Sequence, residues 1–263
     1  MLPLTITIIQ TNLFWENKQA NLEMLEQKIK GIKEKTEVVI LPEMFSTGFS
    51  MKPEGLAETM DGTTFHWMKR VASENKIILT GSIIIKEDGH YYNRLIWMLP
   101  NGDYGKYDKR HLFAFAGEDE HYSAGNKRFI ASVKGWKINL QVCYDLRFPV
   151  WARQGASDHG AQYDVLVNVA NWPHKRSTAW NTLLQARAIE NQCYVVGVNR
   201  VGEDGNRNIY HGDSVIIDPL GEILFHQTID ETVATFTLSK DKLMEVRNQF
   251  PFLNDADSFI INE

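Results

Sequence analysis

The reading of the fold turns on "LQVCYDLRFPVWAR", Leu140 to Arg153. An apolar run stops at Cys143, and Tyr-Asp and a string of polar and aromatic residues follow. This is the pattern of a strand leaving a sheet and turning sharply into a helix near Phe148, where side chains are presented rather than packed. A buried cysteine is ordinarily a small hydrophobe, and taken alone Cys143 has that reading. Its address supplies a second one. A helix beginning near Phe148 would aim its N-terminal amides at the thiol and lower its pKa. A sharp turn would also leave the backbone N–H of Tyr144 free to donate to an oxyanion.

Working outward, helical and extended patterns alternate along the whole chain. "RFIASVKGWKINLQVC" reads as a hairpin turning near Lys134-Gly135, and after the helix at Phe148 come the strand "DVLVNVA", a helix over Ser177–Gln192 and the strand "CYVVGVNR". Upstream, "ITIIQ" is a strand and Lys18–Lys33 a helix, with Leu22, Leu25, Ile29 and Ile32 at three- and four-residue spacing. "VVILPE" is an apolar run stopped by a proline, and Thr63–Asn75 is a second helix. "KIILTGSIII" and "YYNRLIWMLPNGDYGKYDK" pair around Asp88-Gly89. Downstream, "HGDSVIIDPLGEILFHQ" gives two strands around Pro219-Leu220-Gly221, followed by "TVATFTL" and a short helix over Lys240–Arg247. Interleaved strands and helices predict a layered α/β fold. The hairpins argue against a purely parallel doubly wound sheet. Two sheets face to face, with helices outside, satisfy both observations.

The 263 residues, 43% hydrophobic and 23% charged, have the composition of an ordinary globular chain and read as one domain over 1–263. The net charge of −5 is mild and the basic residues are scattered, which argues against nucleic acid as a partner. No apolar run approaches the ~18 residues a membrane span needs. The start "MLPLTITIIQTN" lacks the basic residues and cleavage site of a signal peptide, so it reads as the first strand of a cytoplasmic protein. Cys143 and Cys193 are expected to be reduced there. Without CxxC, HxH or HExxH spacing, no metal is predicted, and no cofactor.

Reactive groups in α/β folds gather at the carboxyl ends of strands. Glu43 follows "VVILP", Lys109 follows "GDYGKYDK" and Cys143 follows "INLQV". Glu43 has apolar flanks, and a half-buried carboxylate can act as a general base near neutral pH. Lys109 lies in "KYDKRHLF", a charge run from which physics alone selects no single lysine. Glu118 and Glu120 in "AGEDEHYSAG" are equally ambiguous. A Cys-His pair is the rival arrangement, with His111, His121, His174 and His211 all near loops.

With Glu43, Lys109 and Cys143 in this order, the chain resembles the nitrilase, or carbon–nitrogen hydrolase, superfamily. "VILPEMFSTGF" looks like its glutamate motif, "YDKRHLF" its lysine motif and "VCYDLRFP" its cysteine motif. "NWP", "LLQARAIENQCYVVGVNRVG" and "HGDSVIIDPLGEIL" extend the resemblance over nearly the whole chain. "CYDLRFPVWAR", "NWPHKRSTAWNTLLQARAIENQ" and "GVNRVGEDGN" are most similar to the omega-amidase branch, which acts on 2-oxoglutaramate and 2-oxosuccinamate. Val150 stands where other branches often have Glu, a departure that bears on branch rather than on chemistry.

The resemblance implies a four-layer α-β-β-α sandwich and subunits that pair through helices beside the active site, hence a homodimer or larger assembly. It implies Glu43 as general base, Lys109 as oxyanion stabiliser and Cys143 as nucleophile. It also implies a second glutamate, for which Glu118 matches best and Glu120 remains open. The substrate is then a small amide, with water as the second reactant. Because that amide carries a distant carboxylate, Arg147 is a candidate clamp; an ion pair with Asp145 is the competing role. Trp172 and Phe45 are candidates for the pocket wall. Other nitrilase-fold specificities and a non-catalytic binding role are the alternatives.

Overall fold

The computed structural model describes residues 1–154 and 161–261. The single domain expected over 1–263 therefore includes eight residues outside the described ones. Strands β1 (Leu4–Gln10), β2 (Val38–Ile40), β3 (Ile78–Glu87), β4 (His90–Met98) and β5 (Tyr104–Asp108) build a first sheet. Strands β6 (Ile130–Val133), β7 (Trp136–Val142), β8 (Val165–Ala170), β9 (Tyr194–Asn199), β10 (Val201–Glu203), β11 (Ile209–Ile217) and β12 (Ile223–Thr228) build a second. The last strand, β13 (Thr232–Leu238), returns to the first sheet and pairs antiparallel with β1, giving the order β13-β1-β2-β3-β4-β5. In each sheet the central strands are parallel (β1-β2-β3 and β7-β8-β9) and the flanks antiparallel.

Period-two alternation shows why the sheets stack. Ile6, Ile8, Val38, Ile40, Leu95 and Trp97 of the first sheet share a core with Ile138, Leu140, Val167 and Val196 of the second. Their immediate neighbours Ile9, Val39, Ile96 and Met98 point the other way, into a separate cluster. That outer cluster is filled by α1 (Lys18–Lys30), through Leu22, Leu25 and Ile29. A one-turn α2 (Pro53–Leu56) precedes α3 (Thr63–Asn75), which adds Phe65, Met68 and Val71. Two further one-turn helices, α4 (Glu118–His121) and α5 (Pro149–Ala152), carry loops. On the far side, α6 (Ser177–Asn191) covers β9 and β11 with Trp180, Leu184 and Ala188, and α7 (Lys240–Gln249) inserts Leu243. Burying each such aliphatic side chain contributes about 1.5–3 kcal/mol. The layers run helix, sheet, sheet, helix, as the resemblance implies.

Both expected hairpins turn where the sequence puts them. Asp88 and Gly89 have φ of 51° and 82°, and Lys134 and Gly135 have 50° and 80°, left-handed pairs whose twist matches that of the strands. Helix ends differ slightly. α1 stops at Lys30, where the Gly31 N–H bonds the Gln27 and Lys28 carbonyls and closes the last turn, although Ile32 beyond it still packs on the outer core. α6 stops at Asn191, with Gln192 as a left-handed cap, and α7 runs on to Gln249. The helix expected after Phe148 is only the single turn of α5. Pro149 opens it, and Cys143–Arg147 before it is a 3-10 segment. Cys143 and Cys193 are both free thiols; Cys193 is sealed under α6, and burial pushes its thiol up to about 12. No helix among the described residues is long and apolar enough to cross a membrane.

Gly81 in β3 is required by close approach. A Cβ there would stand 2.7 Å from the Phe45 ring and 2.9 Å from Leu41 Cβ, in the segment that carries Glu43. Gly81→Ala is expected to destabilise the protein by about 1–3 kcal/mol through overpacking, measured as a lower urea midpoint with an unchanged slope.

Candidate active site

Four strands end at the same edge of the sandwich, and each delivers one group. β2 leads to Glu43, β5 to Lys109, β7 to Cys143 and β8 to Asn171. Glu43, Lys109 and Glu118 are completely buried. Lys109 Nζ lies 3.0 Å from Glu43 Oε1 and 3.0 and 2.8 Å from the two Glu118 oxygens. Asn93 Nδ2 donates to Glu43 Oε1 at 2.8 Å and to Glu118 Oε1 at 3.3 Å, tying the carboxylates together. The Asn171 N–H donates to Glu43 Oε2 at 2.8 Å, and its side chain donates to the Glu43 carbonyl at 2.6 Å. Glu118 also accepts from the Phe113 N–H at 2.6 Å, whereas Glu120 is exposed. The structure thus separates the two candidate glutamates: Glu118 reaches Lys109.

Each group is held by its flanks. Beside Lys109, Asp108 is gripped by Arg94, with Nε at 2.6 Å and Nη2 at 2.9 Å. The Gly125 N–H bonds the Lys109 carbonyl at 2.9 Å, and a Cβ at Gly125 would sit 2.2 Å from the Asp108 carbonyl oxygen. After Glu43, Met44 has φ of 43°, held by its N–H to Ser82 Oγ at 2.8 Å.

Cys143 itself has φ of 46°, strained for a residue with a side chain, and starts the 3-10 segment. Such strain costs about 1–3 kcal/mol and persists only where the surroundings impose it. Asp145 imposes it. Its Oδ2 accepts from the Val142 N–H at 3.0 Å and the Tyr107 hydroxyl at 2.7 Å. Its Oδ1 accepts from the His111 N–H at 3.0 Å and lies 2.8 Å from His111 Nδ1. The elbow is therefore bolted to the segment on both sides of Lys109. The amide of Tyr144 falls in the first turn of the 3-10 segment, ahead of its internal bonding ladder.

A cavity of about 280 Å³ opens onto Cys143. Tyr144, Arg147, Trp172, Arg176 and Asp204 are among the residues that line it. Arg147 lies over the Trp172 ring at 4.9 Å and makes no pair with Asp145, whose oxygens are already occupied. Trp172 is a wall residue, but Phe45 is not: it packs in the outer core against Trp67.

A sequence profile described as carbon-nitrogen hydrolase matches residues 5–248, nearly the whole chain that builds this site. The chain belongs to the carbon-nitrogen hydrolase family. It is 44% identical to omega-amidase YafV of Escherichia coli over 259 residues, 97% of this chain and 98% of that protein. It is 32% identical to 2-oxoglutaramate amidase of Bacillus subtilis over 254 residues, 95% of this chain and 96% of that protein. A carbon-nitrogen hydrolase superfamily protein of Xanthomonas campestris, whose crystal structure carries an arsenic adduct in the active site, superposes with a TM-score of 0.97 at 42% identity, each chain fully covered.

Electrostatics in this carbon-nitrogen hydrolase correct one expectation. The Cys143 thiol is raised well above its ordinary pKa, not lowered: burial disfavours the thiolate, Glu43 adds to this, and Lys109 opposes it. The helix invoked to lower it is one turn, begins at Pro149 and does not start at the thiol. Burial alone would drive Lys109 toward its neutral form, but the charges of Glu118 and Glu43 outweigh it and hold the ammonium. Burial raises Glu118 as well, and Lys109 counters it.

The Cys-His alternative finds no support among the described residues. His111 is taken by Asp145 and stacks on Phe148 at 3.7 Å, His121 is exposed, and His174 and His211 pack against one another. The group that bears on Cys143 is instead Glu43, which helps hold the thiol protonated. Asn171 was reachable from the sequence, since it too follows a strand, in "NWP". Asn93 sits in mid-strand and carries no signal of its role.

Alkylation of Cys143 by iodoacetamide is expected to be slow at neutral pH and still rising at pH 9, because the thiol is held protonated. Glu43→Gln removes a negative neighbour and should move the curve to lower pH. Lys109→Met removes a positive one and should move it to higher pH. Coincident curves for the three proteins would show that these charges do not reach the thiol.

Proposed function

We propose that the chain is an omega-amidase that hydrolyses the terminal amide of 2-oxoglutaramate or 2-oxosuccinamate to the 2-oxo dicarboxylate and ammonia. The observation that carries the reading is the Cys143 thiol on a strained elbow at the cavity, held protonated in part by Glu43, which is itself paired with Lys109. The names of the similar proteins from E. coli and B. subtilis support the same substrate class.

The chemistry follows from the protonation states. Because the resting thiol is neutral, its proton passes to Glu43 as Sγ attacks the amide carbonyl carbon. The carbonyl oxygen becomes an oxyanion, stabilised by the Lys109 ammonium and the Tyr144 N–H. The C–N bond then breaks as Glu43 returns the proton to the departing ammonia, leaving a thioester on Cys143. Glu43 next takes a proton from water, whose oxygen attacks the thioester carbon. The C–S bond breaks, the thiol regains its proton, and the second carboxylate is released. Glu118 keeps Lys109 aimed throughout. Arg147, stacked on Trp172 and free of any acid partner among the described residues, grips the substrate's carboxylate in a bidentate pair.

The proposal includes one domain, a homodimer and a cytoplasmic setting. An exposed apolar patch supports the pairing: Ile189 on α6 packs at Gly221, with Leu220 and Ile223 beside it in the β11–β12 turn. The two free cysteines suit a reducing compartment. Sedimentation should give twice the chain mass, and Ile189→Glu should shift it toward the monomer.

In an ammonia-release assay, 2-oxoglutaramate should be hydrolysed, and nitriles and carbamoyl amino acids should not. Cys143→Ala should abolish release. Lys109→Met should lower kcat by about 10²–10³-fold, the usual loss for an oxyanion donor. Arg147→Met should lower kcat/KM by about 10–100-fold, mostly through KM, the loss of one charge-assisted pair. Activity surviving in Cys143→Ala would overturn the mechanism.

A further inference from the structure

Arg176 is not needed by the cysteine chemistry, yet it stands in the cavity wall. It ends the 3-10 turn His174–Arg176 and is the N-cap of α6. That is an unfavourable place for a cation, because a helix N-terminus already carries partial positive charge. No acidic residue stands in the first turn of α6, and the nearby Asp213 carboxylate is taken by the Ser177 hydroxyl at 2.6 Å. Among the described residues no carboxylate pairs with the guanidinium, which lies instead over the Phe113 ring at 5.1 Å. Its backbone is fixed on both sides: the N–H bonds the Pro173 carbonyl at 3.0 Å, and its own carbonyl accepts from the Trp172 indole at 2.9 Å. The same indole carries Arg147. A cation that no carboxylate pairs, set at a helix N-terminus in the wall of a site, points to function.

The charges of the wall sharpen this. Asp204 is the acid that lines the cavity, and its carboxylate is spent on its own loop. Oδ1 accepts from the Asn206 and Asn208 N–H groups, and Oδ2 from the Asn208 amide and the Tyr210 hydroxyl. Arg147 and Arg176 therefore face the cavity without an acid of their own. One guanidinium suffices to grip one carboxylate bidentately. A second calls for a second acceptor close to the first.

Resting on the omega-amidase reading, we infer that Arg176 donates to the 2-oxo oxygen of the substrate while Arg147 holds the adjacent carboxylate. The pair then recognises a 2-oxo acid rather than any acid. A dicarboxylate monoamide without the oxo group leaves the Arg176 donors unmatched in a wall with no free acid. Sites built to donate to a substrate acceptor discriminate strongly against the analogue that lacks it.

The test is a binding measurement that needs no turnover. Cys143→Ala protein is titrated calorimetrically with 2-oxoglutarate and with glutarate, which differ only in the oxo oxygen. Cys143→Ala should prefer 2-oxoglutarate by about 10–100-fold, the worth of one charge-assisted hydrogen bond. Adding Arg176→Met, which keeps an apolar stem over Phe113, should erase that preference, and Arg176→Lys should restore part of it. The melting temperature of the Arg176→Met protein should not fall, since a cation leaves a helix N-terminus. Equal loss of both acids would overturn the inference by making Arg176 a general anion site. An unchanged preference would overturn it by making Arg176 structural. The enzyme reading fails separately, if the unsubstituted protein releases no ammonia from 2-oxoglutaramate.

Discussion

An ammonium ion buried from water persists only where carboxylates meet it, and Lys109 meets two. Glu43 and Glu118 stand within 3.0 Å of its nitrogen, and all three side chains are inaccessible. Removing one partner of such a group typically costs about 3–5 kcal/mol, because a charge is left without compensation. Much of the surrounding architecture serves that balance. Asn93 donates to the same Glu43 and Glu118 oxygens as Lys109, Asn171 satisfies the other Glu43 oxygen, the Phe113 N–H occupies Glu118, and the Arg94–Asp108 pair fixes the strand end from which Lys109 projects. The two carboxylates also differ in what remains open to them. Glu118 is spent on Lys109, Asn93 and Phe113, whereas Glu43 also reaches the Cys143 thiol. One is left to position Lys109, and the other is the carboxylate free to serve as the proposed base.

The elbow supplies the second constraint. Cys143 is bent into a conformation that an isolated chain avoids, and the buried Asp145 holds it there by bonding to groups on both sides of Lys109. Nucleophile and cation are thus placed by one shared carboxylate rather than independently. The thiol stays neutral at rest. That fits a mechanism in which the base is adjacent and the proton leaves only as the carbon–sulfur bond forms. Above this apparatus the cavity wall carries Arg147 and Arg176, the residues proposed to choose the substrate.

Much of this was legible in the chain. The alternation of patterns predicted layered α/β structure, the left-handed turn pairs at Asp88-Gly89 and Lys134-Gly135 fell where expected, and Glu43, Lys109 and Cys143 stood at strand ends. What failed did so for identifiable reasons. The helix after Phe148 was over-read, because an apolar-aromatic run resembles a helix until Pro149 and the elbow divide it. The thiol was expected to be acidic, because a sequence reveals a neighbouring helix more readily than burial. Asn93 was invisible, because a mid-strand asparagine looks the same whether it faces water or two glutamates.

The sequence by itself determined the strands and turns, which depend on local spacing and side-chain type, and its motifs, through their resemblance to a known family, marked the base, cation and nucleophile. Only the tertiary structure decided between Glu118 and Glu120, freed Arg147 from Asp145 and put Arg176 in the same cavity wall. Those choices are contacts between separate segments, such as Lys109 with Glu118 nine residues on. The energy of a buried charge depends on which groups the folded chain brings within about 3 Å of it, and no local pattern records that.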